Sequence, residues 1–355
     1  MQNRIERLRK KMRECGLDCA LVTGLANIRY LSGFTSCDAT VLVTDKSCCL
    51  FTDFRYTIQA AEQTKGYEII EPQAGKLTES IKEIMERDGC GRCAFEENVL
   101  TVGLYERMRA LPVTFVPWGD ALSALRMLKT PAEIESLQRA QTLADRSFSE
   151  LLGRMHPGMT EREVVAELNY IGARLGSEGA SFDPIVGSGP NGAMCHAVPS
   201  DRRLRDGDLV VLDFGCIVDG YHSDMTRTVA VGSVSDECRR IYDIVLEAHE
   251  RALRALTPGI TGKELDAVAR DYIAEQGYGA CFGHSLGHGF GLEIHEQPTA
   301  SVRSETVFEP GMTITIEPGI YVEGLCGVRI EDCCVVTETG YRDFVSSSKE
   351  LLVIS

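Results

Sequence analysis

The chain has 355 residues, 44% hydrophobic and 25% charged, with a formal net charge of −15. A chain of this size buries about three-quarters of its unfolded surface and exceeds the usual single domain, so two domains are expected. The negative balance repels phosphate backbones and anionic lipid surfaces, and no apolar run approaches the roughly 20 residues of a membrane helix, so neither nucleic acid nor membrane is an expected partner.

The opening stretch MQNRIERLRKKMREC is charged throughout, unlike a secretory signal, and places Ile5, Leu8 and Met12 on one helical face. Without a signal, the 14 cysteines read as reduced thiols in a cytoplasmic protein. Cys90-Gly-Arg-Cys93 has no second CxxC at zinc-finger spacing and no neighbouring His pair, so no structural zinc site is expected there. Six β-like runs follow along residues 1–126: CALVT, TVLVT, CCLFT, YEIIEP, RCAFEE and VTFVPW. Helical stretches such as KLTESIKEIMERD and TVGLYERMRAL lie between them, which predicts an α/β domain with a mixed or parallel sheet.

Lys129-Thr130-Pro131 marks the expected junction with a second domain over residues 127–355. Its start is mostly helical, interrupted at Pro131 and at His156-Pro157-Gly158, with Thr160 and Glu163 spaced as a capping box. Beyond residue 180 strand-like segments dominate, with helices expected near 235–255 and 263–276. This half therefore reads as α+β, a curved antiparallel sheet covered by helices.

Within that sheet, Asp219-Gly220 is a strong two-residue hairpin signal between LVVLDFG and YHSDMTRTVA. If these two residues form the loop, Val218 faces Tyr221 and Asp213 faces Thr226. Asp224 then lies diagonally on the same face, roughly 7–8 Å away between Cα atoms, close enough for two carboxylates to lean onto one cation. Two solvated hairpin acids are the plain alternative. A second pair repeats the pattern: TITIEPGIY sets Glu317 with Thr313 and Thr315 against Ile314 and Ile316, and GVRIEDCCVV puts Arg329 and Glu331 opposite Ile330. Half-buried acids need compensation, and Arg329 can neutralise one of them but not four.

CFGHSLGHGFGLEIHEQP brings His284, His288 and His295 together among four glycines. The i, i+4 spacing of the first two suits a helical zinc site, but the glycines and the lack of a Glu after His284 exclude one. An extended segment that projects imidazoles into a cavity is expected instead. One imidazole with Asp213, Asp224, Glu317 and Glu331 makes five ligands, four of them oxygen donors. That set suits Mn²⁺, Co²⁺, Fe²⁺ or Zn²⁺, and two ions roughly 3.5–4 Å apart would account for all five.

These motifs, LDFG, SDMTRT, GHGFGLEIHE, TIEPGIY and GVRIED, resemble in order and spacing the pita-bread metallopeptidases, over about residues 130–355. NIRYLSGF and LFTDFRY resemble the creatinase-like first domain of Xaa-Pro aminopeptidases and prolidases, which methionine aminopeptidases lack. The resemblance implies that Asp224 and Glu331 bridge two divalent ions, Mn²⁺ foremost, that Asp213 holds one ion, and that His288 and Glu317 hold the other. It implies Glu317 as general base for a bridging hydroxide nucleophile and His196 and His295 beside the scissile carbonyl. His284 would line the proline pocket and Arg329 would orient the acids. His222 is read as a packed residue or as a support behind the ligands.

The leading expectation is an Xaa-Pro aminopeptidase. A prolidase restricted to Xaa-Pro dipeptides is the alternative, and a catalytically silent interaction module the third reading. A homodimer is implied by resemblance alone. Gly192 and Cys195 stand where many relatives have Ser and Pro, which bears on the substrate rim, and the Cys333-Cys334 pair reads as buried thiols.

Overall fold

The computed structural model describes residues 2–355, which divide into two compact units, one ending at Arg126 and the other running from Met127 to Ser355. In the first unit the six β-like runs become β1 (Cys19–Val22), β2 (Thr40–Thr44), β3 (Cys48–Phe51), β4 (Glu68–Ile70), β5 (Arg92–Phe95) and β6 (Thr114–Pro117). They form one sheet in the order β4-β3-β2-β1-β5-β6. The β1–β2 and β2–β3 pairs are antiparallel and the others parallel, so the sheet is mixed. The helix Leu77–Asp88 lays Ile81, Ile84 and Met85 onto the sheet core beside Leu21, Leu42 and Phe51. Its i, i+3, i+4 spacing supplies the apolar stripe, and Gly89, at φ 79°, stops it in the left-handed region.

The second unit opens with the helix Pro131–Leu152, whose cap is Thr130, with Glu133 completing a capping box. Pro131 therefore starts a helix at a position where its missing N–H costs nothing. The helix Glu161–Leu175 starts the same way, from Thr160 and Glu163. The strands that follow are β7 (Ile185–Ser188), β8 (Leu209–Phe214), β9 (Ile217–Val218), β10 (Tyr221–His222) and β11 (Met225–Val231). After the helices Asp236–Ala255 and Gly262–Glu275 come β12 (Gly287–Gly289), β13 (Glu296–Ala300), β14 (Thr313–Ile316) and β15 (Gly319–Val322). The last are β16 (Cys326–Arg329), β17 (Asp332–Val336), β18 (Tyr341–Asp343) and β19 (Val353–Ile354). Pairing is antiparallel except where β19 runs parallel to β11. The two helices bury Ile241, Val245, Leu265 and Ala269 against Ile314, Ile316, Ile320, Val328 and Ile330.

Two hairpins carry the acids. In the first, Val218 pairs with Tyr221 and Asp213 with Thr226, the register that an Asp219-Gly220 loop demands. Both loop residues adopt positive φ, 51° and 71°, as the tight hairpin turn requires. In the second, Ile316 pairs with Asp332 and Gly319 with Arg329. Each ladder opens midway without losing register. The second opens at Glu317-Pro318, where proline offers no N–H to the partner strand.

Alternation along these strands separates two faces. Ile314, Ile316, Ile330, Cys334 and Val336 point into the helix-packed core, and Asp332 falls in line with them, fully buried. Its charge is compensated on that same side. Arg227 Nη2 lies 2.7 Å from Asp332 Oδ1 and Lys349 Nζ 2.5 Å from Oδ2. Although burial alone would raise it, these cations hold the Asp332 carboxyl below the usual carboxylate range.

His249, from the helix Asp236–Ala255, places Nε2 3.4 Å from Asp332 and is itself fully buried. Burial lowers its pKa from 6.5 to about 4, so the folded state holds it neutral. A depressed folded value means that this contribution to stability is complete above about pH 6.5 and is lost as pH falls through about 4. Between pH 7 and pH 4 the wild type is therefore expected to lose about 3 kcal/mol more stability than a His249→Met variant. Urea unfolding of both proteins at the two pH values measures the difference.

Candidate active site

The acids of the two hairpins converge. One donor atom from each of Asp224, His288 and Glu331 lies within 4.8 Å of the others. His288 Nε2 is 3.6 Å from Asp224 Oδ2 and 3.5 Å from Glu317 Oε1. Asp213 joins through Arg329, whose Nη2 is 2.5 Å from Asp213 Oδ2. Two threonines support the carboxylates: Thr226 Oγ1 donates to Glu331 Oε2 at 2.6 Å and Thr315 Oγ1 to Glu317 Oε1 at 3.2 Å. Of the other oxygens, Asp213 Oδ1, Asp224 Oδ1 and Glu331 Oε1 are buried with no hydrogen-bond partner among the described residues.

Local backbone geometry delivers His288. A Cβ at Gly287 would stand 1.9 Å from Thr315 O, so only glycine lets β12 lie this close to the Glu317-bearing strand. The pairing of β12 with β13 shifts register between His288 and Gly289, and this bulge re-aims the ring. His288 Nδ1 is 3.0 Å from Gly289 O, which assigns its proton to Nδ1. A bare Nε2 lone pair then faces two carboxylates.

Electrostatics make the same demand. Burial first, and then Glu331, Asp213 and Glu317, push Asp224 well above the usual carboxylate range. Burial and the neighbouring acids likewise raise Glu331, and burial raises Glu317 against the pull of Arg329. Orphaned carboxylate oxygens, a bare imidazole nitrogen and acids forced toward protonation are the donor set that a hard or borderline divalent cation satisfies.

A second chain of contacts borders the acids. Arg329 Nη1 donates to Tyr321 OH at 2.7 Å, and Tyr321 OH lies 2.9 Å from His284 Nε2. With His284 Nδ1 2.8 Å from Ser285 O, the ring is neutral and accepts from Tyr321. Burial, followed by Arg329, lowers His284 to about 4. The His295 ring packs 4.4 Å from that of His288, and the exposed His196 lies close enough to His284 and His295 to lower both. Arg329 Nη1 also holds Cys195 O at 3.1 Å, fixing the loop that carries His196.

All five expected ligands and the four flanking residues His196, His284, His295 and Arg329 thus share one neighbourhood. His222 instead bonds Ser181, with Nδ1 2.9 Å from its Oγ. Tyr321, Thr226 and Thr315 carry contacts that the sequence reading did not assign. Their signal was present, since each shares a strand face with an assigned residue.

A creatinase-like α/β unit followed by an α+β unit built around buried paired acids defines a two-domain peptidase of the pita-bread class. Residues 135–338 match Metallopeptidase family M24 and residues 4–128 match the Creatinase/Prolidase N-terminal domain. The chain belongs to family M24 and is a metallopeptidase, a class that works with divalent metal ions. A solved Xaa-Pro dipeptidase from Bacillus anthracis superposes with a TM-score of 0.96 at 43% identity, covering 99% of each chain. The Xaa-Pro dipeptidase of Pyrococcus furiosus is 38% identical over 356 residues, 99% of this chain and 100% of that one. A solved X-Pro aminopeptidase from Thermotoga maritima is 38% identical, with a TM-score of 0.92 over 99% of this chain and 100% of its own.

The His196 loop has no slack where it crosses β16. A Cβ at Gly327 would lie 1.8 Å from Gly192 O, and one at Gly192 would lie 2.9 Å from Gly327 N, which explains the glycine at both positions. Gly327→Ala is expected to lift this loop off Arg329. It should cost about 1–3 kcal/mol of stability and at least tenfold in peptidase kcat/KM. Urea midpoints and steady-state kinetics read the two effects.

Proposed function

We propose that the chain is an Xaa-Pro dipeptidase in which Asp213, Asp224, His288, Glu317 and Glu331 hold two divalent metal ions. The observation that carries the metal assignment is the set of orphaned carboxylate oxygens facing the bare Nε2 of His288. The dipeptidase reading, the alternative at the level of sequence, is favoured over the aminopeptidase one by relatives of that name matching at full length. The Thermotoga relative keeps the aminopeptidase reading as the second.

A divalent pair bound here supplies Lewis acidity and a water acidic enough to ionise near neutral pH. The protein's own groups do the rest. Glu317, steadied by Thr315, is placed to accept a proton at its carboxylate. Asp224 and Glu331 each keep a buried oxygen without a hydrogen-bond partner, so both would hold the metal. Arg329 neutralises Asp213 and, through Tyr321, fixes the neutral His284 beside the pocket.

His295 and His196, both exposed at the mouth, supply imidazoles to the scissile carbonyl and the leaving nitrogen. An Xaa-Pro bond has no amide N–H and a locked φ, so recognition rests on the pocket's shape and not on strand-like pairing. The oxygen-rich donor set supports Mn²⁺ or Co²⁺ ahead of Zn²⁺. The many thiols support a reducing, cytoplasmic setting, and the family resemblance supports a homodimer.

Asp224→Ala and Glu331→Ala are expected to stay folded by circular dichroism, to lose at least one equivalent of metal and to fall more than a thousandfold in turnover. Chelation of the wild type should abolish activity and added Mn²⁺ restore it, with metal content measured by plasma emission. For substrate length, Ala-Pro is expected to be cleaved with at least tenfold higher kcat/KM than Ala-Pro-Ala. Equal turnover of the longer peptide would install the aminopeptidase reading.

A further inference from the structure

The site-facing surface of the two acid-bearing hairpins has an opposite side, and there the fold buries charges that the reaction does not use. Arg227 follows Thr226, three residues after Asp224, and Asp332 follows Glu331. Strand alternation therefore turns Arg227 away from the side of Asp224 and Thr226, and Asp332 away from the side of Glu331. Arg227 is 1% exposed and Asp332 0%.

Arg227 spends its guanidinium on the backbone that presents the acids. Nη1 donates to Thr226 O at 2.9 Å and to Glu331 O at 2.6 Å, and Nη2 donates to Asp332 Oδ1 at 2.7 Å. Nη2 and Nε also hold Ser347 O at 2.9 Å and Ser348 O at 3.0 Å. β11 and β17 belong to different sheets, so no continuous ladder sets the spacing between the Asp224 and Glu331 segments. They meet through the Glu331 N to Thr226 O bond, the bonds of Thr226 Oγ1 to Glu331 and Arg329, the Thr228–Arg329 bonds and the Cys333 Sγ to Asp224 O bond. They also meet through Arg227, which alone ties Thr226 O and Glu331 O to an ion pair with Asp332.

We propose that Arg227 and Asp332 are positioning residues, an ionic clamp behind the strands that fixes the separation of Asp224 and Glu331 and thereby the affinity of the metal site. The proposal rests on the metal-binding reading above. Physical magnitudes separate it from a simple stabilising role. A buried ion pair replaced on both sides by apolar residues of similar volume is often neutral or stabilising, because desolvation offsets the attraction. The geometry it imposes on neighbouring ligands is lost all the same, and support of that kind is worth about ten- to a hundredfold in metal affinity.

The test uses full-length protein, stripped by chelator and titrated with Co²⁺, followed by calorimetry and by visible absorption, which reports ligand geometry. The double variant Arg227→Met with Asp332→Leu is expected to keep its circular dichroism while binding Co²⁺ about ten- to a hundredfold more weakly, with an altered visible spectrum. Arg227→Lys, which keeps the charge but not the fork, should recover part of that loss.

Asp145→Asn is the structural control. Asp145 anchors the same loop through the N–H and hydroxyl groups of Ser346 and Ser347, and these bonds go to neither acid-bearing strand. It should lower the thermal midpoint and leave Co²⁺ affinity unchanged. Wild-type affinity and spectrum in the folded double variant overturn the proposal, as does equal weakening in Asp145→Asn. If the double variant does not fold, Asp332→Asn is read by the same two measurements, with the same expected loss and the same overturning result. Wild-type Co²⁺ binding by Asp224→Ala would instead overturn the metal reading itself.

Discussion

Four carboxylates share a space from which water is largely excluded, and one guanidinium answers them. Taking a single ionised carboxylate out of water costs several kcal/mol even after the surroundings relax, so the cluster is the most expensive feature of the fold unless cations join it. Arg329 compensates Asp213. The raised pKa values of Asp224, Glu317 and Glu331 express the remainder of the debt. Among the described residues, nothing relieves it by donating to the orphaned oxygens. Thr226 and Thr315 each satisfy one oxygen, while the Gly289 carbonyl takes the only proton of a neutral His288 and leaves its other nitrogen bare. His288 is already in the neutral form that a metal ligand needs, whereas the acids push one another toward protonation and would ionise together only with a cation among them.

What makes this arrangement affordable is the two-faced character of the strands. On one side Ile314, Ile316 and Ile330 lock into the helices Asp236–Ala255 and Gly262–Glu275. On the other, the alternate residues Thr315, Glu317, Arg329 and Glu331 meet the first hairpin. Each ladder opens where an acid must turn inward, yet each keeps its register, so the acids gain freedom to lean without losing their place along the strand. Asp332 is the exception that shows the rule's strength. It falls on the apolar side and therefore needs both Arg227 and Lys349.

Much of this was legible in the residues, for identifiable reasons. The Asp-Gly loop permits one register, so the facing of Asp213 and Thr226 followed directly, and the glycines around His288 excluded a helix on propensity grounds. The six strands of the first unit stood out because short apolar runs alternate with helical spacing. Residues acting through a neighbour were harder to read. Tyr321 looks like any aromatic strand residue until Arg329 and His284 are placed on either side of it. Arg227 and Asp332 were hidden because both faces of their strands are buried, a condition that local alternation does not reveal. Substrate length was not legible either. It depends on how the mouth treats a free carboxylate, and no single basic residue in the motifs announces that role.

The core and the chemistry are therefore one problem. In a half-exposed sheet, a displaced strand would trade buried apolar residues for solvated polar ones, but here Thr315, Glu317, Arg329 and Glu331 alternate with core residues along the same segments. A slip of one position would carry Ile330 into the acid cluster and Glu331 into the helix core. Register is thus held twice, by the apolar surface buried against the helices and by the charge pairing that only the native facing permits. Because Ile330 sits between Arg329 and Glu331 and is itself fully buried, a cavity opened at that position would reach the acids through the backbone of their immediate neighbours. The packing of residues that never meet a substrate thereby sets the geometry of those that do.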